Sequence, residues 1–221
     1  MMMFWKKQKL DYKLQSEVPL NTNIRDLTFT IFDTETTGFA INGSDRMIEI
    51  AAVPVVNLEV QEQTFQTFVN PEREIPQKIT DLTGITEEKV KDAPVGLDAL
   101  ERFFQFNEDI NSHLWVGHYV SFDMMVVKKE LQRKQYTFES PLVVDTLDLI
   151  GYLNPSRDMR DLEVYALQFG TLVYERHQAL GDAMTTAHLF CELMRHLEDR
   201  GKTTLADLLE IGTSTTRGVV F

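Results

Sequence analysis

Residues 29–38 read FTIFDTETTG. The run from Phe29 to Phe32 is apolar or β-branched, the composition of a buried strand, yet it leads straight into Asp33 and Glu35. Side chains two apart on a strand point to the same side, roughly 7 Å apart along the chain. A buried strand therefore ends in two like charges aimed the same way. Such a pair is stable in water or with a cation between its members, and a hard divalent ion with oxygen ligands is the direct solution. The following Thr36-Thr37-Gly38 is a turn of small residues that lets a ligand approach the backbone. A lone D-x-E is more often a solvated strand end, so the pair needs partners before it carries chemistry.

Outward from this stretch, three runs rich in β-branched and aromatic residues, Thr28 to Asp33, Met47 to Val56 and Thr64 to Asn70, are separated by the turn-like segments TTGFAINGSD and NLEVQEQ. They read as an antiparallel meander. Helices then alternate with single strands. Residues 96–110 are helical, LWVGH (114–118) is a short buried strand, and 121–134 is a helix with Ser121 as its cap. PLVVDTL supplies another strand, and DLEVYALQFG a helix closed by Gly170. From Asp182 to Arg200, the apolar residues Ala183, Ala187, Phe190, Met194 and Leu197 keep helical spacing up to Gly201. Three antiparallel strands followed by αβ units predict an α/β fold with a mixed five-stranded sheet flanked by helices. The expected organisation is a polar, partly helical N-terminal extension (1–26), a central domain (27–200), and a C-terminal helix with a tail (201–221).

The chain has 221 residues, 43% of them hydrophobic, which suits one globular domain with a buried core. No apolar run is long enough to span a bilayer, and the first fifteen residues have the wrong order for a secretory signal. One cysteine, Cys191, cannot form an internal disulfide, and its place beside the last helix's apolar stripe makes it a packing residue. Cytoplasmic localisation is expected. The net charge of −12, from 34 acidic and 22 basic residues, argues against binding nucleic acid through a broad basic surface. It allows a protein that grips only a short end and lets metal ions neutralise phosphate.

Two more stretches could join the first. In GHYVSFD (117–123) a strand ending at His118 turns into a helix whose first turn holds Asp123, where the helix dipole favours an acid with or without another job. In HQALGDA (177–183), His177 and Asp182 would lie about 140° apart on a continuous helix. They converge only if His177 lies on the loop before the helix and Asp182 in its first turn, an arrangement that Gly181 permits. Three separate termini thus each deliver a carboxylate, and one adds a histidine.

Together FDTETTG, GHYVSFD and HQALGDA resemble the three motifs of the DnaQ-like exonucleases in their DEDDh branch, a family that includes the proofreading subunit of bacterial DNA polymerase III. The resemblance spans residues 28 to 198, and VNPEREIPQKITDLTGIT and VVDTLDLIGYLNP read like text of the same family. It implies a ribonuclease-H-like fold in which Asp33, Glu35, Asp123 and Asp182 hold two Mg²⁺ or Mn²⁺ ions and His177 is the general base. It also implies 3′-5′ release of 5′-mononucleotides. The backbone at Thr36, Thr37 and Gly38 would meet the terminal sugar, with Leu82 and Phe122 against the last bases. Two positions depart from the family pattern: Tyr119 follows His118 where asparagine is frequent, and Thr83 stands where a histidine is frequent. Glu49, Asp145 and His118 read as structural or supporting groups.

The implied substrate is a nucleic acid 3′ end, single-stranded DNA ahead of RNA, in replication or repair. A polymerase partner, a homodimer and a stand-alone enzyme all remain open. A rival resemblance, to haloacid dehalogenase-like phosphatases through the D-x-D-x-T signature with Asp33 as nucleophile, leaves His177 and Asp123 without a role, and it meets Glu35 where it needs aspartate and Thr186 where it needs an acid. A binding module with a dead site would have lost some of the five key residues, and all five are present.

Overall fold

The structure, a computed structural model, describes residues 8–10, 12, 18–154 and 161–215. Residues 1–7, 11, 13–17 and 216–221, which belong to the expected extension and tail, lie outside the described residues. The first described elements are the two-residue strand β1 (Gln8–Lys9) and a 3-10 turn at Ile24–Asp26, so the described part of the extension is not α-helical. Then come β2 (Thr28–Thr36), β3 (Met47–Val56), β4 (Glu59–Val60) and β5 (Phe65–Phe68). Three helices follow, α1 (Gln77–Thr83), α2 (Glu87–Val90) and α3 (Gly96–Asp109). The second half holds β6 (Leu114–Gly117), α4 (Val120–Arg133), β7 (Tyr136–Thr137), β8 (Leu142–Asp145), α5 (Thr146–Leu153), α6 (Leu162–Gln168), α7 (Ala179–Glu198) and α8 (Leu205–Thr215).

The main sheet is mixed and runs β4-β3-β2-β6-β8, with β5 also on β3. β2 pairs antiparallel with β3 and parallel with β6, and β8 extends the parallel half. The sheet has six strands rather than the five expected, but β4 and β5 share the outer edge of β3, so they fill five positions. The two-residue β4 carries no apolar pattern of its own and forms only because the turn at Asn57 and Leu58 folds it back on β3.

Helices cover both faces. On one, Phe29 and Ile31 of β2 pack with Leu149, Tyr165 and the α7 stripe Ala183, Ala187, Phe190, Met194 and Leu197, and α8 adds Leu205, Leu208 and Ile211. On the other, Phe32 packs with Phe103 and Phe104 of α3, Trp115 of β6, and Val126 and Val127 of α4. Phe32, Phe103 and Phe104 all lie within 5.5 Å, centroid to centroid, of the Trp115 ring, an arrangement worth about 0.5–1.5 kcal/mol per pair beyond the area it buries.

The start of α4 differs from the sequence expectation. Ser121 is not the cap. Tyr119 is, in a left-handed conformation (φ 58°), and the orphan N–H groups of Tyr119 and Val120 donate to Asp145 at 3.0 and 2.9 Å. An acid from the neighbouring strand does the work of a local cap. Among residues with a side chain, asparagine tolerates that backbone region well, a physical reason for its frequency there.

Candidate active site

Strand alternation sets the site. With Phe29 and Ile31 under α7 and Phe32 under α3 and α4, the same period turns Asp33 and Glu35 toward the α7 face and Thr34 toward α4. α7 brings Asp182 in its first turn. One carboxylate oxygen from each of Asp33, Glu35 and Asp182 lies within 4.8 Å of the other two. Asp123 approaches from the opposite face. Its Oδ1 accepts from both the amide (2.9 Å) and the hydroxyl (2.6 Å) of Thr34, the residue between the two strand acids.

The four carboxyls disturb one another as so close a set must. Burial, then the charges of Asp123, Glu35 and Asp182, push Asp33 well above the usual carboxylate range. Burial and then Asp182 and Glu49 push Glu35 up to about 8. Asp123 is raised to about 7 by burial, against the pull of its Thr34 hydrogen bonds. Asp182 is raised by burial and held back by Arg176 and by the His177 amide.

His177 does lie before the helix. It is exposed, its backbone is left-handed (φ 61°), and its amide donates to Asp182 Oδ2 at 3.2 Å. The part Gly181 plays is different from the one expected. α7 already begins at Ala179, so Gly181 is inside the helix. A Cβ there would fall 1.8 Å from the Glu175 carbonyl oxygen, so the missing side chain lets the loop carrying Arg176 and His177 lie against the helix. Arg176, which sequence reasoning did not single out, is ion-paired with Asp182. Its position next to His177 was the only available signal.

A supporting ring fixes these groups. Glu49, buried in β3 opposite Glu35, accepts from the Ala179 amide at 2.9 Å and from Gln66 at 2.7 Å, and so pins the start of α7 to the sheet. Asp145 caps α4 as described and also accepts from Leu147 at the start of α5. His118 Nδ1 lies 2.8 Å from the Thr146 hydroxyl. All three fit the supporting roles expected of them.

At the rim, the Thr36 hydroxyl donates to the Gly38 carbonyl and that of Thr37 to Asp45, so both are already engaged. Gly38 makes room for this chain itself, because a Cβ would fall 2.5 Å from the Asp45 carboxylate. Arg133 donates to the carbonyls of Ile41 and Asp45 and joins Arg46 on Glu130, which braces the 39–46 loop. That loop holds Phe39 85% exposed, with its ring 5.7 Å from that of Phe122. A large apolar ring held in solvent on a braced loop is a residue that sequence reasoning missed. Leu82 lies exposed on α1, while the Thr83 hydroxyl closes that helix by donating to Ile79 and accepting from Ile85.

The donor set fits a hard divalent cation. It is all oxygen, its carboxylates converge, and Cys191 is buried in the core.

The sequence model RNase_T, described as an exonuclease, matches residues 30–190. The DNA polymerase III PolC-type protein of Staphylococcus epidermidis is 32% identical over 183 residues, covering 83% of this chain and 12% of that protein. The DNA polymerase III subunit epsilon-like protein of Rhodobacter capsulatus is 36% identical over 197 residues, covering 88% of this chain and 27% of its own length. This chain thus spans a small part of the curated relatives it matches. Among solved structures, exonuclease X in complex with 5′-overhanging duplex DNA superposes with a TM-score of 0.65 at 24% identity, covering 83% of this chain and 98% of that one. The fold is that of the ribonuclease-H-like exonucleases. Among the described residues, no helix is long and apolar enough to cross a membrane.

Proposed function

The chain belongs to the RNase_T exonuclease family, and on that premise we propose that it is a metal-dependent 3′-5′ exonuclease releasing 5′-mononucleotides. The observation that carries this reading is the convergence of Asp33, Glu35 and Asp182 at the start of α7, with Asp123 tied to the same strand end. Four acids gathered there repel unless they are protonated or bridged.

Asp33, Glu35, Asp123 and Asp182 would hold two divalent cations, Mg²⁺ or Mn²⁺, which when bound supply the positive charge that activates water and stabilises the departing oxygen. His177, exposed at the mouth of the site, takes the proton of the attacking water on a ring nitrogen. Its left-handed backbone and the bond from its amide to Asp182 hold it at that place. The phosphorus–oxygen bond to the penultimate nucleotide's 3′ oxygen breaks, and the 5′-mononucleotide leaves. Backbone at Thr36, Thr37 and Gly38 receives the terminal sugar, and Leu82 and Phe122 the last bases, contacts that tolerate any sequence.

The relatives' names, both DNA polymerase III proteins, support DNA as substrate and a polymerase as partner. Matched single-stranded DNA, duplex DNA and RNA, incubated with Mg²⁺ or Mn²⁺ and followed by product size, test the reading. Mononucleotides released fastest from single-stranded DNA support it. Internal cleavage in all three contradicts it.

A further inference from the structure

Among the described residues most basic side chains have an acidic partner, such as Arg25 with Glu198, Arg46 and Arg133 with Glu130, Arg73 with Asp45, and Arg176 with Asp182. Lys128 and Lys129 of α4 are exceptions, with no acidic partner among the described residues. Both line a groove of about 710 Å³ between α4 and β7. Met124, Met125, Leu131, Tyr136 and Phe138 give it apolar and aromatic walls, and neutral polar side chains, Asn42 among them, complete the lining.

A short chain of contacts links the groove to the candidate site. Asn42 belongs to the braced loop that carries Phe39, its amide nitrogen lies 3.6 Å from the Met125 sulfur, and Phe39 packs on Phe122, which adjoins Asp123. Asp123 faces the sheet. At about 100° and 1.5 Å per residue, Lys128 lies about 140° round the helix from it in one sense and Lys129 about 120° in the other, both on the far side and about 7.5–9 Å further along. A strand whose 3′ end is at Asp123 therefore reaches the lysines by passing over the first turn of α4, beside Phe122.

We propose that this groove is an upstream subsite for single-stranded nucleic acid, in which Lys128 and Lys129 pair with phosphates 5′ of the scissile bond and the Met and Tyr walls receive bases. The proposal rests on the exonuclease reading above. It gives a protein of net charge −12 a local source of positive charge for a phosphate backbone. Unpaired cations above an apolar floor match a strand with phosphates on one side and bases on the other.

The test compares wild type with the Lys128→Ala/Lys129→Ala double variant on two substrates. One is a ten-nucleotide single strand. The other is the p-nitrophenyl ester of thymidine 5′-phosphate, which has no upstream phosphate. The double variant should raise KM for the strand about tenfold and leave KM for the ester unchanged. The dependence of log KM on log salt for the strand should become shallower by about 1.4, the share of two phosphate contacts to a single strand. An unchanged KM for the strand, or an equal rise for both substrates, overturns the subsite while leaving the exonuclease reading intact. A wild-type protein that cleaves neither substrate defeats that reading, and the subsite with it.

Discussion

Arg176 is ion-paired with Asp182 at the point where Asp33, Glu35 and Asp182 converge. Its charge also pulls Asp33 and Glu35 down against the effect of burial, so the guanidinium supplies part of what a metal would supply. The Arg176→Gln variant should lose about 1–3 kcal/mol of metal-free stability, less than for a fully buried pair because the guanidinium is partly exposed. The rise in Tm on adding Mg²⁺ should be larger in the variant than in wild type. Equal rises would mean that the guanidinium does not substitute for a cation.

The same carboxyls set a pH dependence. Their folded pKa values lie above the unfolded ones, with Glu35 at about 8 against 4.5 and Asp123 at about 7 against 3.8, both raised chiefly by burial. The folded state then binds more protons than the unfolded state in between, so metal-free stability falls as pH rises from about 4 to about 8. Metal binding must displace those protons, so Mg²⁺ affinity should rise over the same window. Thermal melts at pH 5 and pH 8, with chelator and with Mg²⁺, measure both slopes. A metal-free protein that gains stability across this range would contradict the assignment of pKa values.

Thr34→Val removes the hydroxyl that donates to Asp123 at 2.6 Å and keeps the amide and the shape. Losing an outer hydrogen bond to a metal-holding carboxylate costs about 10–100-fold in metal affinity or activity. Titration calorimetry with Mn²⁺ should show that loss in a variant that still folds.

Phe39→Ala should change stability by no more than about 0.5 kcal/mol, because the ring is almost wholly exposed. If the ring stacks on a base of the substrate, KM for a single strand should rise by the equivalent of about 1–3 kcal/mol. An unaltered KM would leave the exposed ring without a function at the site.

What the sequence made legible was whatever local pattern determines. Met47–Val56 is a strand over the expected span because all of its ten residues but Glu49 are apolar, the composition of a buried strand. The shared direction of Asp33 and Glu35 was readable because strand alternation fixes it locally, whereas the approach of Asp182 to them came only from the family resemblance of the three motifs. The cap of α4 was not, since Asp145, which provides it, is 25 residues beyond Val120. The Thr34–Asp123 bonds span 89 residues and depend on the parallel packing of β2 and β6. Gly181 misled for another reason. Its freedom is used for a close approach by the Glu175 carbonyl, and no pattern around it announces a neighbour of that kind. Phe39 looked like an ordinary turn residue until its loop proved to be braced by Arg133 and Asp45.

The most direct measurement follows a 5′-labelled single-stranded oligonucleotide with wild type and with Asp33→Ala, each with Mg²⁺ and with chelator. The expected result is a ladder shortening one nucleotide at a time from the 3′ end, only for wild type and only with Mg²⁺, with 5′-mononucleotides as the released product. Undiminished shortening by Asp33→Ala, or shortening that persists in chelator, would contradict a metal site built on Asp33, Glu35, Asp123 and Asp182.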